Sequence, residues 1–318
     1  MVIKVLAIGD VGSIIRTIRK YTKKSEIRLI NYPQDGSGVF TAPDDVELFK
    51  TWKVQEHVKK INEIKDNFDI VHGFNIPSAY AMKFAKGKKK VLTLHGVFGV
   101  HVSVLHSKPV SSVAKIAESQ VLKWPEKLTT DSRATQKAYK EYAGLDFEVL
   151  PSAIDPDKFL DIPPVEKVEN QVAFVGRETR EKGIDILKTA ESEIHGKVVY
   201  CTNLPWKDAM KIMKSSQVLV VPSRKDSLPT SIKEAFYLKV PVVGTNVDGI
   251  PELIQNNVTG LLVPPENPQK LAEAVNSLLD DKAKAKTLSD AGYEFVKNNL
   301  TWDVVLPKFI KFYENLLN

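Results

Sequence analysis

Short runs rich in β-branched residues recur along the whole chain, and stretches with helical spacing separate them. In residues 1–150 the runs are Val2–Ile8, Ile27–Ile30, Asp69–Val71, Val91–Leu94, Lys127–Thr130 and Phe147–Leu150. Helical stretches lie between them, notably Lys53–Lys65 and Pro77–Lys86. The second half repeats the pattern with Val172–Val175, Lys197–Tyr200, Val218–Val221, Val242–Gly244 and Leu261–Val263. Strands alternating with helices argue for parallel sheets, since each parallel neighbour needs a crossover connection. The Pro- and Asp-rich stretch Pro151–Pro164 reads as a linker. A length of 318 residues suits two domains, and a hydrophobic content of 43% supplies two cores. The expected architecture is α/β, with two Rossmann-like domains facing a cleft: residues 1–152, then residues 153–301. Trp302, Val305, Phe309, Phe312 and Leu316 recur at three- and four-residue spacing. Candidate helices Pro268–Leu279 and Lys282–Asn298 already cover the second sheet, so this last helix, 302–318, is expected to cross back to the first domain. Pro307 should bend or delay it.

Chemistry concentrates in the second half. Asp226 and Glu234 stand eight positions apart, with Ser227 and Pro229 between them. Asp226 lies in the loop after the strand Val218–Val221, and Glu234 is expected in about the first turn of a helix starting near Thr230. Polar ligands of open α/β sheets bind beyond the carboxyl ends of the strands. A carboxylate accepts two hydrogen bonds from a vicinal diol, so two of them suit a sugar and a ribose. Taken singly, Asp226 reads as a turn residue and Glu234 as an acid favoured by a helix start. A second cluster, suited to anions, shifts the balance. Strand Val172–Val175 leads into Gly176, Arg177 and Lys182, just before an apolar-periodic helix with Ile184 and Leu187. Arg177 offers a planar fork and Lys182 a mobile point charge, a pair able to clamp a diphosphate.

These segments resemble those of the nucleotide-sugar glycosyltransferases of family 4, which are retaining and have the GT-B fold. Gly176-Arg177 with Lys182-Gly183 resembles the family's G-R-x-x-x-x-K-G segment, and Asp226 with Glu234 resembles its pair of glutamates at the same spacing. Gly249-Ile250-Pro251-Glu252 and Asn257 with Gly260-Leu261-Leu262-Val263 match the family's segment after that pair. The likeness is dense from about Leu150 to Pro265, and Trp302 to Tyr313 is similar to the family's closing segment. Departures accompany it. Asp226 is one methylene shorter than the usual Glu, and Pro151-Ser152-Ala153-Ile154-Asp155 lacks the hinge's Gly. Ser227-Leu228-Pro229-Thr230 replaces the glycines between the carboxylates, so Pro229 has no N–H for a phosphate while Thr230 and Ser231 do.

The first half offers candidates at the edge where ligands bind. His95 follows the strand Val91–Leu94. The resemblance implies contact with the transferred sugar or the acceptor, and a satisfied structural histidine is the equal alternative. Gly9-Asp10-Val11-Gly12 could present amides to an anion at a helix start, though it is shorter than the family's acceptor loop. Arg133, after Ser132, is a further candidate, with capping and surface roles as its alternative. His101 and His106 suit no metal spacing.

Charge is uneven. Residues 1–150 hold 24 Lys and Arg against 16 Asp and Glu, residues 151–318 hold 21 against 23, and the whole chain carries +6. Arg16, Arg19, Lys20, Lys23, Lys24 and the run Lys86 to Lys90 read as solvated faces or as a footprint on an anionic membrane surface. The segment Val113–Trp124 reads either as an interfacial helix or as one packed on the sheet. Nothing resembles a basic–aromatic nucleic-acid surface, the lone Cys201 excludes a disulfide framework, and no apolar run reaches a membrane span. A cytoplasmic protein is expected, with a peripheral place at the cytoplasmic membrane face as its extension.

The expected activity is retaining transfer of a sugar from a nucleoside-diphosphate sugar to a hydroxyl of a glycan, a lipid-linked acceptor or a small molecule. The nucleotide sugar is a substrate, so no cofactor is expected, and the sequence has no Asp-x-Asp pair placed for a metal. Arg177 and Lys182 would neutralise the leaving diphosphate, Glu234 would hold ribose, and Asp226 the hexose. The alternatives are a nucleotide-sugar 2-epimerase and a non-catalytic nucleotide-sugar-binding partner of the same fold.

Overall fold

A computed structural model of the chain describes residues 2–9, 25–31, 47–48, 53–97 and 108–318. Gly12, His101, His106 and the basic residues Arg16 to Lys24 lie outside them. The chain divides into two compact units, Met1–Ser152 with Trp302–Asn318, and Ala153–Thr301.

The first unit is built on seven parallel strands: β1 (Ile3–Ile8), β2 (Ser25–Asn31), β3 (Glu47–Leu48), β4 (Phe68–Phe74), β5 (Gly87–Leu94), β6 (Lys127–Thr130) and β7 (Glu148–Val149). Their order is β3-β2-β1-β4-β5-β6-β7. Central strands of such a sheet are covered on both faces and therefore read as continuous apolar runs. Val5, Leu6, Ala7 and Ile8 of β1 are all buried. The second unit has β8 (Gln171–Val175), β9 (Lys197–Cys201), β10 (Val218–Val221), β11 (Val242–Thr245) and β12 (Leu261–Val263), ordered β12-β11-β10-β8-β9 and again all parallel. Strand order reverses between β1 and β4 in the first sheet and between β8 and β10 in the second. At such a point adjacent loops diverge and leave a crevice beyond the strand ends. The loops after β8 and β10 carry the two polar clusters of the second half.

Several expectations are corrected. The stretch 151–164 is not a free linker. Ile154 and Ile162 are buried in the core of the second unit, Ile154 pairs with Thr301, and Pro156–Phe159 forms a 3-10 turn capped by Asp155. Apolar side chains within a Pro-rich segment were the sign that it packs. The basic run Lys86 to Lys90 is mostly the start of β5, with Lys88 paired to Asp69 at 2.7 Å and Lys90 Nζ donating to the Lys83 carbonyl. The helix within the segment 113–124 runs Lys108–Val121. Val121 and Leu122 enter the core, and Trp124 packs edge-on against Tyr80, which supports the packed reading over the interfacial one.

The last helix, Trp302–Leu317, starts before Pro307 and runs through it, so the proline does not delay the helix, although it leaves the Asp303 carbonyl without its i→i−4 donor. Its Tyr313 hydroxyl lies 2.8 Å from His72 Nδ1 on β4, and His72 Nε2 lies 2.6 Å from Thr93 Oγ1 on β5. The helix is thereby tied to the centre of the first sheet. Burial lowers the pKa of His72 from its usual 6.5 to about 3. Between those values the unfolded chain binds a proton that the native fold refuses. The stability that the neutral His72 contributes is therefore fully present above about pH 6.5 and is lost as pH falls toward 3. Measured against His72→Gln, the wild-type urea midpoint should drop between about pH 7 and about pH 5. An unchanged slope in the variant would refute the assignment to His72.

Candidate active site

The loop after β8 begins at Gly176, passes Arg177, makes a 3-10 turn at Arg180–Lys182 and reaches Gly183, whose φ is +66°. A Cβ on Gly183 would stand 1.9 Å from the Pro222 carbonyl oxygen. Only glycine fits both the left-handed backbone and this approach. That contact brings the loop after β8 against the loop after β10. Arg224 N and Lys225 N add hydrogen bonds to the Glu181 carbonyl, at 2.7 and 3.4 Å. Arg224 forks onto Asp185 at 2.7 and 2.9 Å, also engages Glu266, and caps the Arg180 carbonyl at 2.8 Å. These pairs hold Arg224 charged and keep the Asp185 carboxyl below its usual range.

On this frame Lys182 Nζ donates to Asp226 Oδ2 at 2.6 Å, and Ser223 Oγ donates to the same oxygen at 3.2 Å. The Asp226 backbone is fixed as well: its N–H donates to Asp248 Oδ2 at 3.1 Å, and Gly249 N donates to its carbonyl at 3.1 Å. The two clusters expected from the sequence thus meet. Lys182 is mostly covered, at 24% exposure, and already paired, whereas Arg177 is 69% exposed and bound to Glu181 at 2.6 Å. Helix Thr230–Tyr237 starts after Pro229, which caps nothing with its side chain. Its first-turn amides, at Thr230 and Ser231, have no intrahelical acceptor and suit an anion.

Glu234 is also corrected. It lies in the second turn, not the first, and is buried. The helix-start explanation for it falls away. Trp206 Nε1, at the start of helix Trp206–Ser215, donates to Glu234 Oε1 at 2.7 Å. Burial pushes the Glu234 carboxyl up to about 7, against the lowering effect of the Trp206 bond. A diol donating to Glu234 favours its ionised form, so ribose binding should release a proton near neutral pH. Calorimetry of nucleotide binding in two buffers of different ionisation enthalpy reads this directly. Proton release should shrink in Glu234→Gln, and equal release in both proteins would exclude ribose at Glu234.

In the first unit, Gly9 ends β1 with φ +75° and its N–H donates to the Ile30 carbonyl at 2.8 Å. His95 follows β5 and its Nδ1 lies 2.9 Å from Asp131 Oδ2. Arg133 is exposed in the first turn of helix Arg133–Ala143, capped by Ser132. Sequence reasoning missed Trp206, Asp248, Arg224 and Asp131. Asp248 was readable from its place beside Gly249, but nothing local marks Trp206. Among the described residues no cluster of three or more His, Cys, Asp or Glu could hold a metal, and no helix is long and apolar enough to cross a membrane.

Comparison with known proteins respects the same division. Residues 25–158 match the profile of Glycosyltransferase Family 4, and residues 166–295 match that of Glycosyl transferases group 1. An uncharacterised glycosyltransferase of Methanocaldococcus jannaschii is 24% identical over 309 residues, 85% of this chain and 80% of its own length. Bacillus subtilis TuaC, described as a teichuronic acid biosynthesis glycosyltransferase, is 28% identical over 72% of this chain and 66% of its own. Sucrose-phosphate synthase of Thermosynechococcus elongatus superposes with a TM-score of 0.81 at 18% identity, covering 98% of both chains. Anabaena HepE in complex with UDP-glucose gives 0.74 at 16% identity over 99% of this chain and 100% of its own. These structures share the GT-B fold of two Rossmann-like domains. The chain is a glycosyltransferase and belongs to family 4.

Proposed function

We propose that the protein moves a sugar from a nucleoside-diphosphate sugar to a hydroxyl acceptor, with retention at the anomeric carbon. One observation carries this reading. Lys182 and Asp226, from the two loops flanking the switch point of the second sheet, meet at 2.6 Å, four residues before the helix start at Thr230. Lys182 and Arg177 neutralise the leaving diphosphate, where charge develops in the transition state, and stand in for a divalent metal. The amides of Thr230 and Ser231 take up further phosphate oxygens, and Gly176 keeps the backbone open to them. Glu234 accepts from the ribose diol, and Asp226 accepts from a hexose hydroxyl with its second oxygen. Gly9, Gly12, His95 and Arg133 serve the acceptor side. The nucleotide sugar is the substrate and no cofactor takes part. The acceptor is a glycan or a lipid-linked molecule, and the positive charge of the first half supports peripheral contact with an anionic cytoplasmic membrane face. Asp226, engaged by Lys182 and Ser223, is poorly suited to the proton transfer that a 2-epimerase needs.

Incubation with a panel of nucleotide sugars tests the proposal, with UDP-glucose, the ligand of HepE, as the first donor. Transfer to a hydroxyl acceptor with retained configuration, unchanged by EDTA, is the expected result. An epimerised donor, an inverted product or a strict divalent-metal requirement would each overturn the corresponding element.

A further inference from the structure

Gln217 and Pro241 stand immediately before β10 and β11, at the amino edge of the second sheet. They line a cavity of about 340 Å³ together with Leu278 and four lysines, Lys167, Lys239, Lys282 and Lys286. The loops that carry Lys182 and Asp226 leave the opposite, carboxyl edge, so this cavity is a separate place in the fold. Among the described residues Asp290 is the only carboxylate lining it. Asp290 meets Lys239 at 3.1 Å and also engages Lys286. Lys282 reaches Glu169 at 3.8 Å, in a pair exposed on both sides and therefore weak. Lys167 Nζ donates to the Ser216 carbonyl at 2.7 Å and has no carboxylate partner among the described residues. Desolvation and the charge of Lys214 lower its pKa from the usual 10.5 to about 8.

Positive charge here runs against its surroundings, since residues 151–318 hold more Asp and Glu than Lys and Arg. Beyond its Asp281 cap, helix Lys282–Asn299 has no acid in its first turn. Lys282, Lys284 and Lys286 instead crowd the end where the helix dipole disfavours cations. A local cost of this kind, with no gain in stability to offset it, is expected where a site binds something. Gln217 adds unspent hydrogen-bonding capacity, because its buried Oε1 has no partner among the described residues. A hydroxyl both donates and accepts, so it completes that amide in either orientation. Pro241 and Leu278 offer apolar surface to the carbon face of a ring. The volume is at the small end of ligand cavities, which span roughly 300–1,000 Å³.

We propose that this cavity binds a small phosphate ester carrying hydroxyl groups, about the size of a sugar phosphate, with the lysines on the phosphate and Gln217 on a hydroxyl. The site is distinct from the donor loops and does not depend on the glycosyl-transfer reading.

Lysine acylation of the full chain, read residue by residue by mass spectrometry, tests this with glucose 6-phosphate as the probe. Lys167, Lys282 and Lys286 should be protected, and Lys182 should stay as reactive as without the probe. Neutral glucose should protect none of them. In calorimetry, the double variant Lys282→Gln with Lys286→Gln should bind glucose 6-phosphate about tenfold more weakly or worse, and Lys182→Ala should bind it as the wild type does. Both substituted lysines are at least 75% exposed, so the fold tolerates the change. Phosphatidylinositol vesicles replace the free ester in a second arm. Protection by the ester assigns a soluble metabolite, and protection by the vesicles alone assigns a lipid headgroup. Protection by neither, protection at Lys182 instead, equal protection by glucose, or wild-type affinity in the double variant would overturn the proposal.

Discussion

A chain ending at Thr301 should lose the hydrogen-exchange protection of β4 and β5 while the unit Ala153–Thr301 keeps most of its own. The missing helix carries Trp302, Val305, Phe309, Ile310, Phe312, Tyr313 and Leu316, all buried. Fully burying one large apolar side chain is worth about 1.5–3 kcal/mol. Seven of them are worth as much as the whole stability of a typical domain, which is about 5–15 kcal/mol. Removal also strips His72 Nδ1 of its Tyr313 partner. Tyr313→Phe isolates that second effect. It keeps the ring and should cost about 1–3 kcal/mol, the penalty for one orphaned buried group. New exposure confined to the second unit in the truncated chain would contradict the position of this helix.

The parallel sheets were legible because their central strands are covered on both faces, so that β10 is apolar throughout and β1 is apolar from Val5 to Ile8. Edge strands carry no such mark. Glu47–Leu48 and Glu148–Val149 are two residues long, and the former was not anticipated. Spacing also gave the helix 302–317, since one side of it is apolar throughout. What spacing cannot give is who meets whom. Glu234 was visible as a carboxylate at the right interval, but its burial and its bond from Trp206, 28 positions earlier, depend on tertiary packing alone. The same holds for His72, which sits unremarked in a strand and joins Tyr313 across 241 positions of sequence. Lys182 and Asp226 are legible as residues of the two loops. Their direct contact depends on Gly183 lying against Pro222, and that required the sheet order.

That contact makes Lys182→Ala the substitution with the largest expected effect on chemistry. Loss of the ammonium removes one charge-assisted phosphate contact, about 1.5–3 kcal/mol of nucleoside diphosphate affinity. It also leaves Asp226, 11% exposed, with only Ser223 donating to the oxygen that Lys182 had held. An uncompensated carboxylate then faces the incoming diphosphate, and repulsion adds to the lost attraction. The rate should fall further than affinity, by roughly 10²–10³, because charge on the diphosphate is greatest as the sugar leaves. Arg177→Ala should be milder, since that guanidinium is 69% exposed and shared with Glu181. Asp226→Asn should spare free nucleotide and weaken only the sugar-bearing donor. The double variant separates the two causes. If repulsion by Asp226 contributes, Lys182→Ala with Asp226→Asn binds free nucleotide more tightly than Lys182→Ala alone, a non-additivity that calorimetry measures directly. Wild-type nucleotide affinity in Lys182→Ala would remove Lys182 from the donor site, and a double variant no tighter than the single would assign the whole loss to the missing phosphate contact.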